Sequence, residues 1–294
     1  MESMNSIIRK ISSEYKDDEF EINKIFLDTV MEAEDVTSVD DDSNKIKFGE
    51  KLGKQVQELI KTLEGIIQRV FLKITNFLGR VAQTNDGFVE DCRKAIVDNK
   101  PLEGVKLITY QYNDGLLEGE MNKMTQAILK RLSEMKTSYA EISESGETNL
   151  MEKNSDEIIS TLLQEIGVPS DVKNLDTYFM YVKDKFRVSK KETLFTASQT
   201  QKYYQTATDV KKILAIANNK QQILKQQTNT IKSNLQNITK NTASQNEIKQ
   251  RALRQYKNVT HLYNFYVHFV DIYVQLKVEE SFSYRSILKK LYHF

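Results

Sequence analysis

Tryptophan is absent from this chain, cysteine occurs once, proline twice and histidine three times. The single cysteine, Cys92, excludes an intramolecular disulfide framework and points to folding in a reducing compartment. Two prolines and 10 glycines leave few helix breakers in 294 residues, which favours long helices over a strand-and-turn protein. His261 and His268 lie two turns apart on one helix face rather than at the i, i+4 spacing that chelates one zinc, so both read as core or surface residues. Arg93 and Lys94 flank Cys92 and favour a lowered thiol pKa, yet no His or Asn/Asp partner is assigned to it. A phosphate-binding glycine loop is missing, as are GxSxG, HExxH, CxxC and kinase motifs. No catalytic, cofactor-binding or metal-ligating residue is therefore assigned, and the chain is expected not to be an enzyme.

Long hydrophobic runs are also scarce. The first twenty residues, MESMNSIIRKISSEYKDDEF, carry acids where a secretion signal needs an apolar run, so no export signal is read there. Val259 to Val278 has the length of a membrane span, but His261, Asn264, His268, Asp271, Gln275 and Lys277 fall inside it and oppose insertion. A central helix wrapped by others fits that window better.

What is present is helical periodicity. From Phe48 to Gln83 large apolar residues recur at steps of three and four, including Leu59, Leu63, Ile67, Val70 and Ile74, with lysines and glutamates on the other face. In the window from Val259 to Val278, Phe265, Phe269 and Ile272 lie on one of two apolar faces, and this helix is expected to pack against Phe48–Gln83 and form the main core. Gly53, Gly65 and Gly79 mark places where a neighbouring helix would approach closely. Leu116 to Ile142 reads as a helix whose Met121 and Met124 belong to a core stripe or, alternatively, an adaptable partner groove. Asp156 to Ile166 reads as a short helix ended by Gly167 and Pro169. Ser198 to Lys240 reads as one long polar helix. As heptads its seam places Leu214, Gln221, Thr228, Leu235 and Thr242 at a, and Ala217, Leu224, Ile231, Ile238 and Gln245 at d. Six of these ten positions are apolar, so the seam is a weak coiled coil or a sparse face packed on the bundle.

One stretch departs from helix. Val105 to Tyr112, VKLITYQY, crowds β-branched and aromatic residues ahead of the turn-forming Asn113-Asp114-Gly115, and Tyr178 to Val188 is taken as its partner strand. Asp86-Gly87 is read as a break, with a separate short helix from Phe88 to Val97. The expected architecture is mainly α: an elongated helical bundle with long C-terminal helices and at most a small two-stranded β element. An acidic helical segment and linker occupies 1–47 and the bundle domain 48–294. Asp40-Asp41-Asp42 in the linker lacks the glycine and distal glutamate of a calcium loop.

Charge is distributed unevenly. Residues 1–47 carry 13 acidic and 6 basic side chains, whereas 201–294 carry 15 basic and 5 acidic. Either the two ends attract each other or present solvated faces, or the basic end meets an anionic partner such as DNA or phospholipid.

The acidic start, the helix GEKLGKQVQELIKTLEGIIQRVFLKI, the stretch VKLITYQY, the Lys/Gln helix VKKILAIANNKQQILKQQTNTIKSNLQNI and the tyrosine-rich end closing on YRSILKKLY together resemble virion structural and capsid-internal proteins of large tailed bacteriophages. The resemblance is one of order and texture across most of the chain. It implies a non-enzymatic protein made in the bacterial host cytoplasm and carried in the virion, with other capsid proteins as partners, DNA near the basic half and a homo-oligomer as a further option. It also implies a maturation cleavage between Glu32 and Ala33, since Val30-Met31-Glu32-Ala33 is similar to the sites that head proteases cut; a chance match is the other reading. Two other function classes stand beside this one. A membrane-active protein would use Ile66 to Ala82 as an interfacial helix, and a nucleic-acid-binding module would use the basic segment 201–258.

Overall fold

The computed structural model describes residues 3–37, 42–113, 115–145, 155–240 and 246–294, with the side chains of 28–52, 55, 135–156, 238–248 and 250 outside the description. Eight α-helices and two strands make up the described residues: α1 (Met4–Thr37), α2 (Asp42–Asp98), β1 (Val105–Tyr112), α3 (Leu116–Ser145), α4 (Ser155–Glu165), α5 (Leu175–Phe186), β2 (Arg187–Phe195), α6 (Thr200–Thr208), α7 (Val210–Lys240) and α8 (Asn246–Tyr292). Their lengths make an elongated bundle. The 57 residues of α2 rise about 85 Å, and the 47 of α8 about 70 Å.

α8 is the axis of the bundle. Every residue from Val259 to Val274 is buried, as expected of a helix that is apolar all round and wrapped by protein. α1, α2, α3 and α7 pack along it, α4 and α5 touch it more briefly, and α6 packs on its C-terminal end. Among the described residues no helix is long and apolar enough to cross a membrane. The expected pairing of α2 with α8 is present: Leu59, Leu63, Ile67, Val70 and Ile74 of α2 and Phe265, Phe269 and Ile272 of α8 belong to one core, each at most 3% exposed. Full burial of such a side chain contributes about 1.5–3 kcal/mol, so these residues are a large part of the packing energy. A second, smaller core around Phe88, Cys92, Phe195, Tyr203, Leu288 and Leu291 closes the other end of the molecule.

The faces of α8 are sorted by partner. Phe265 and Phe269 stack against Tyr178 of α5, with ring centroids 5.9 and 5.4 Å away. Tyr266 meets Thr125 of α3 at 2.6 Å between hydroxyl oxygens. The α7 seam faces inward, with Ala217, Leu224, Thr228, Ile231 and Leu235 all buried, so it serves as a packing face of this bundle. Ile238, Thr242 and Gln245 lie outside the side chains described. Met121 and Met124 are buried in the main core, which settles them as a core stripe.

Several expectations need correction. β1 pairs antiparallel with Arg187–Phe195, not with the stretch beginning at Tyr178. Leu175, Tyr178, Phe179, Val182 and Phe186 instead form the buried stripe of α5, and a capping box starts that helix: Thr177 N donates to Asn174 Oδ1, and Thr177 Oγ1 accepts from Asn174 N. α2 runs without a break through Gly79 and Gly87 to Asp98, so no separate helix begins at Phe88. A Cβ placed on Gly53, Gly65 or Gly79 would meet nothing within 4 Å, so these glycines are not sites of close helix approach. The expected long helix from Ser198 divides at Asp209. Ser281 Oγ and Arg285 Nε of α8 both donate to the Ala207 carbonyl, at 2.7 and 3.0 Å, and so satisfy an oxygen at the end of α6. Within the acidic segment, α1 is helical through Thr37, while Asp40 and Asp41 lie outside the described residues.

Candidate functional site

The polar residues that interrupt the apolar window of α8 fall on a single stripe. His261, Asn264, His268, Asp271 and Gln275 follow one another at steps of three and four, and α1 and α2 meet that stripe with charged side chains of their own. Burial of polar and charged groups is costly unless each is paired, so the stripe and its partners must match. His268 Nε2 donates to Asp18 Oδ2 at 3.0 Å, and Arg69 of α2 also donates to Asp18. Asn264 Nδ2 donates to Glu19 Oε1 at 2.8 Å. His261 Nδ1 lies 2.6 Å from Glu19 Oε2, without hydrogen-bond alignment. Lys73 of α2 reaches Glu14 at 2.6 Å and Asp271 at 3.0 Å, and Gln275 Nε2 donates to Asp271 Oδ1 at 3.3 Å.

The result is a polar seam between α1, α2 and α8, in which His261, Asn264, His268 and Asp271 are fully buried. Burial works against the charge of Lys73, but Asp271 and Glu14 outweigh it and hold the ammonium pKa above its ordinary value. Lys277, one turn further along α8, shows the same balance: burial opposes its charge, while Glu280 at 2.6 Å and Glu118 at 2.9 Å raise its pKa. Acids of α1 thus meet His and Asn side chains of α8 inside the fold, while the cations that pair with them, Arg69 and Lys73, come from α2 rather than from the basic C-terminal region.

The seam opens at one end into a trough. α1, α2 and α8 form its walls around a volume of about 470 Å³. Ile7 and Ile11 of α1, Phe77 and Val81 of α2, and Val278 and Phe282 of α8 line its floor, while Lys73 and Gln275 close the seam end. Lys10 and Arg80 stand on the rim, exposed, and make no ion pair among the described residues. Glu279 faces the trough as well; its Oε1 accepts from Arg187 Nη1 at 2.5 Å, and its Oε2 is buried without a partner.

The residues singled out in the sequence fall into clear places. Leu59, Leu63, Ile67, Val70, Ile74, Phe265, Phe269 and Ile272 are brought together, as interior rather than as a surface offered to another molecule. The apolar face of Ile66–Ala82 is likewise occupied by the protein's own core. His261 and His268 are core histidines, each facing its own carboxylate. Cys92 is fully buried, and burial pushes its thiol up to about 11, opposite to the direction expected from Arg93 and Lys94. Glu32 and Ala33 belong to the helical backbone of α1, but their side chains lie outside the described residues. Among the described residues no group of three or more His, Cys, Asp or Glu side chains is placed to hold a metal ion.

The seam's acids Glu14, Asp18 and Glu19 and the rim cation Lys10 were not singled out in the sequence, whereas Arg69, Lys73 and Arg80 stand opposite the apolar face of Ile66–Ala82 on which the membrane-active reading rests. A signal existed for the seam: polar residues at steps of three and four in an otherwise apolar helix require a polar face opposite. Comparison with family models, curated proteins and solved structures returns no match to this chain.

Proposed function

We propose that this chain is a non-catalytic structural protein that acts through protein contacts, of the kind built into or packaged inside the head of a large tailed bacteriophage. The observation that carries the contact role is an exposed apolar patch on the β1–β2 sheet. The pairing Lys106↔Leu194 and Ile108↔Glu192 puts these four side chains on one sheet face, where Ile108 is 72% and Leu194 54% exposed. Val97 and Leu102, on the segment leading into β1, are exposed as well. Contiguous exposed apolar side chains mark interaction surfaces on soluble proteins. Lys190 and Lys191 on β2 guard a strand edge against indiscriminate pairing, so the face rather than the edge is the contact.

The patch also matches a copy of itself. Ile108 and Leu194 occupy one diagonal, and the opposite charges Lys106 and Glu192 occupy the other. A two-fold axis along the apolar diagonal sets Lys106 of one protomer over Glu192 of its partner, which is the isologous pattern of homo-oligomers. By contrast, the charged groups of the α1–α2–α8 seam engage one another and serve the fold. The virion assignment rests on the likeness of sequence order and texture to phage head proteins.

Mass spectrometry of purified phage particles tests the reading. Peptides of the chain at constant stoichiometry through particle purification are the expected result, and the Ile108→Lys/Leu194→Lys protein should be lost from the particles while remaining folded. Absence of the chain from purified particles would refute the virion role. Undiminished incorporation of the double variant would refute the patch.

A further inference from the structure

We propose that the trough between α1, α2 and α8 binds a single-chain amphiphile with an anionic head, carboxylate or phosphate. Its volume of about 470 Å³ lies within the usual range of small-molecule pockets. The α2 wall from Lys73 to Thr84 extends along about 16 Å of helix axis, so the space is long and narrow. One acyl chain fits a space of that shape.

The chemistry of the walls agrees with the shape. The floor is made of aliphatic side chains and two phenylalanines, which recognise hydrocarbon and little else. Uncommitted charge is confined to the rim. Lys10 from α1 and Arg80 from α2 stand there with no ion pair among the described residues, whereas Lys73 at the inner end is committed to Glu14 and Asp271. The lining carboxylate, Glu279, is held by Arg187, so it does not neutralise the rim. Two uncommitted cations at the mouth of an apolar trough place an anionic head at solvent and its chain inside.

Isothermal titration calorimetry on the purified full chain, with octanoate, nonanoate and decanoate below their micelle concentrations, tests the proposal. One molecule per chain is expected, tightening roughly fourfold for each added CH₂ until the trough is filled. Decyl phosphate in place of decanoate ranks the two head groups. The Lys10→Glu/Arg80→Glu protein, altered only at exposed positions, should bind decanoate and decyl phosphate at least tenfold more weakly and bind neutral 1-decanol unchanged, with circular dichroism checking its fold. Absence of saturable binding would overturn the proposal, as would uptake of many molecules per chain or indifference of decanoate to the charge reversal. The readout does not involve phage particles, so it stands or falls separately from the virion reading.

Discussion

Replacing Lys73 by methionine and Asp271 by leucine, singly and together, should give strongly unequal results. The pair meets at 3.0 Å, but its members are placed very differently: the Asp271 side chain is 0% exposed and that of Lys73 32%. Lys73→Met leaves a buried carboxylate whose remaining contact is the 3.3 Å hydrogen bond from Gln275, and an uncompensated buried charge costs about 3–5 kcal/mol. Asp271→Leu leaves a lysine that keeps Glu14 at 2.6 Å and reaches water, so the cost is near that of a core substitution of similar volume, about 1 kcal/mol. The double variant removes both charges and should lie within about 1–2 kcal/mol of the wild type, since buried ion pairs are often replaceable by apolar side chains at little cost. The coupling energy is then about 3 kcal/mol, at the upper end for side chains in contact. Urea unfolding followed by far-ultraviolet circular dichroism measures all three values, provided the m value is unchanged. Equal costs for the two single variants, or a coupling below about 0.5 kcal/mol, would show that the seam does not work as a matched set of buried charges.

Three further outcomes follow from burial. Burial raises the hydroxyl pKa of Tyr112, Tyr178, Tyr256, Tyr263, Tyr266 and Tyr273. Because their folded values exceed the unfolded value of about 10, stability is complete below that pH and falls as pH climbs past it, and the raised pKa of Lys73 acts in the same direction. Absorbance at 295 nm should therefore show these six ionising together with unfolding; a gradual titration near pH 10 with circular dichroism unchanged would contradict it. Cys92, with its thiol raised to about 11 and no exposed surface, should resist a disulfide reagent at pH 8 in the native protein and react at once in denaturant, and fast native reaction would refute its burial. Ile67→Asp should abolish cooperative unfolding, because it places a carboxylate in the α2–α8 core without a partner; a helical, cooperatively folding variant would show that this interface is not the main core.

The α2 and α8 stripes were legible because their periodicity is local and long, and a helix apolar on two faces demands cover from any direction. The pairing of Asp18 with His268 was not, since it joins residues some 250 positions apart and nothing local marks Asp18 among the other acids of α1. The choice between strand and helix at Tyr178–Phe186 turned on aromatic residues that suit both. The capping pair Asn174 and Thr177 tips it to helix, while the polar RVSKKETLF, which looks unlike a strand, takes the place beside β1. Gly87 misled because a glycine costs an exposed helix only about 1 kcal/mol, too little to interrupt α2 while its buried side chains hold it to the bundle.

The central helix is also made after every other described element. Roughly 190 residues separate Leu78 from Phe265, so at 5–20 residues per second the stripes of α1 and α2 leave the ribosome about 10–40 s before their partner exists. During that interval the two N-terminal helices carry uncovered isoleucines and leucines, and the seam's acids have no histidine to meet. Folding of this chain in consequence waits on the synthesis of α8, whatever has been made before it. A truncation that removes α8 should yield an aggregating, chaperone-bound product rather than a smaller folded domain.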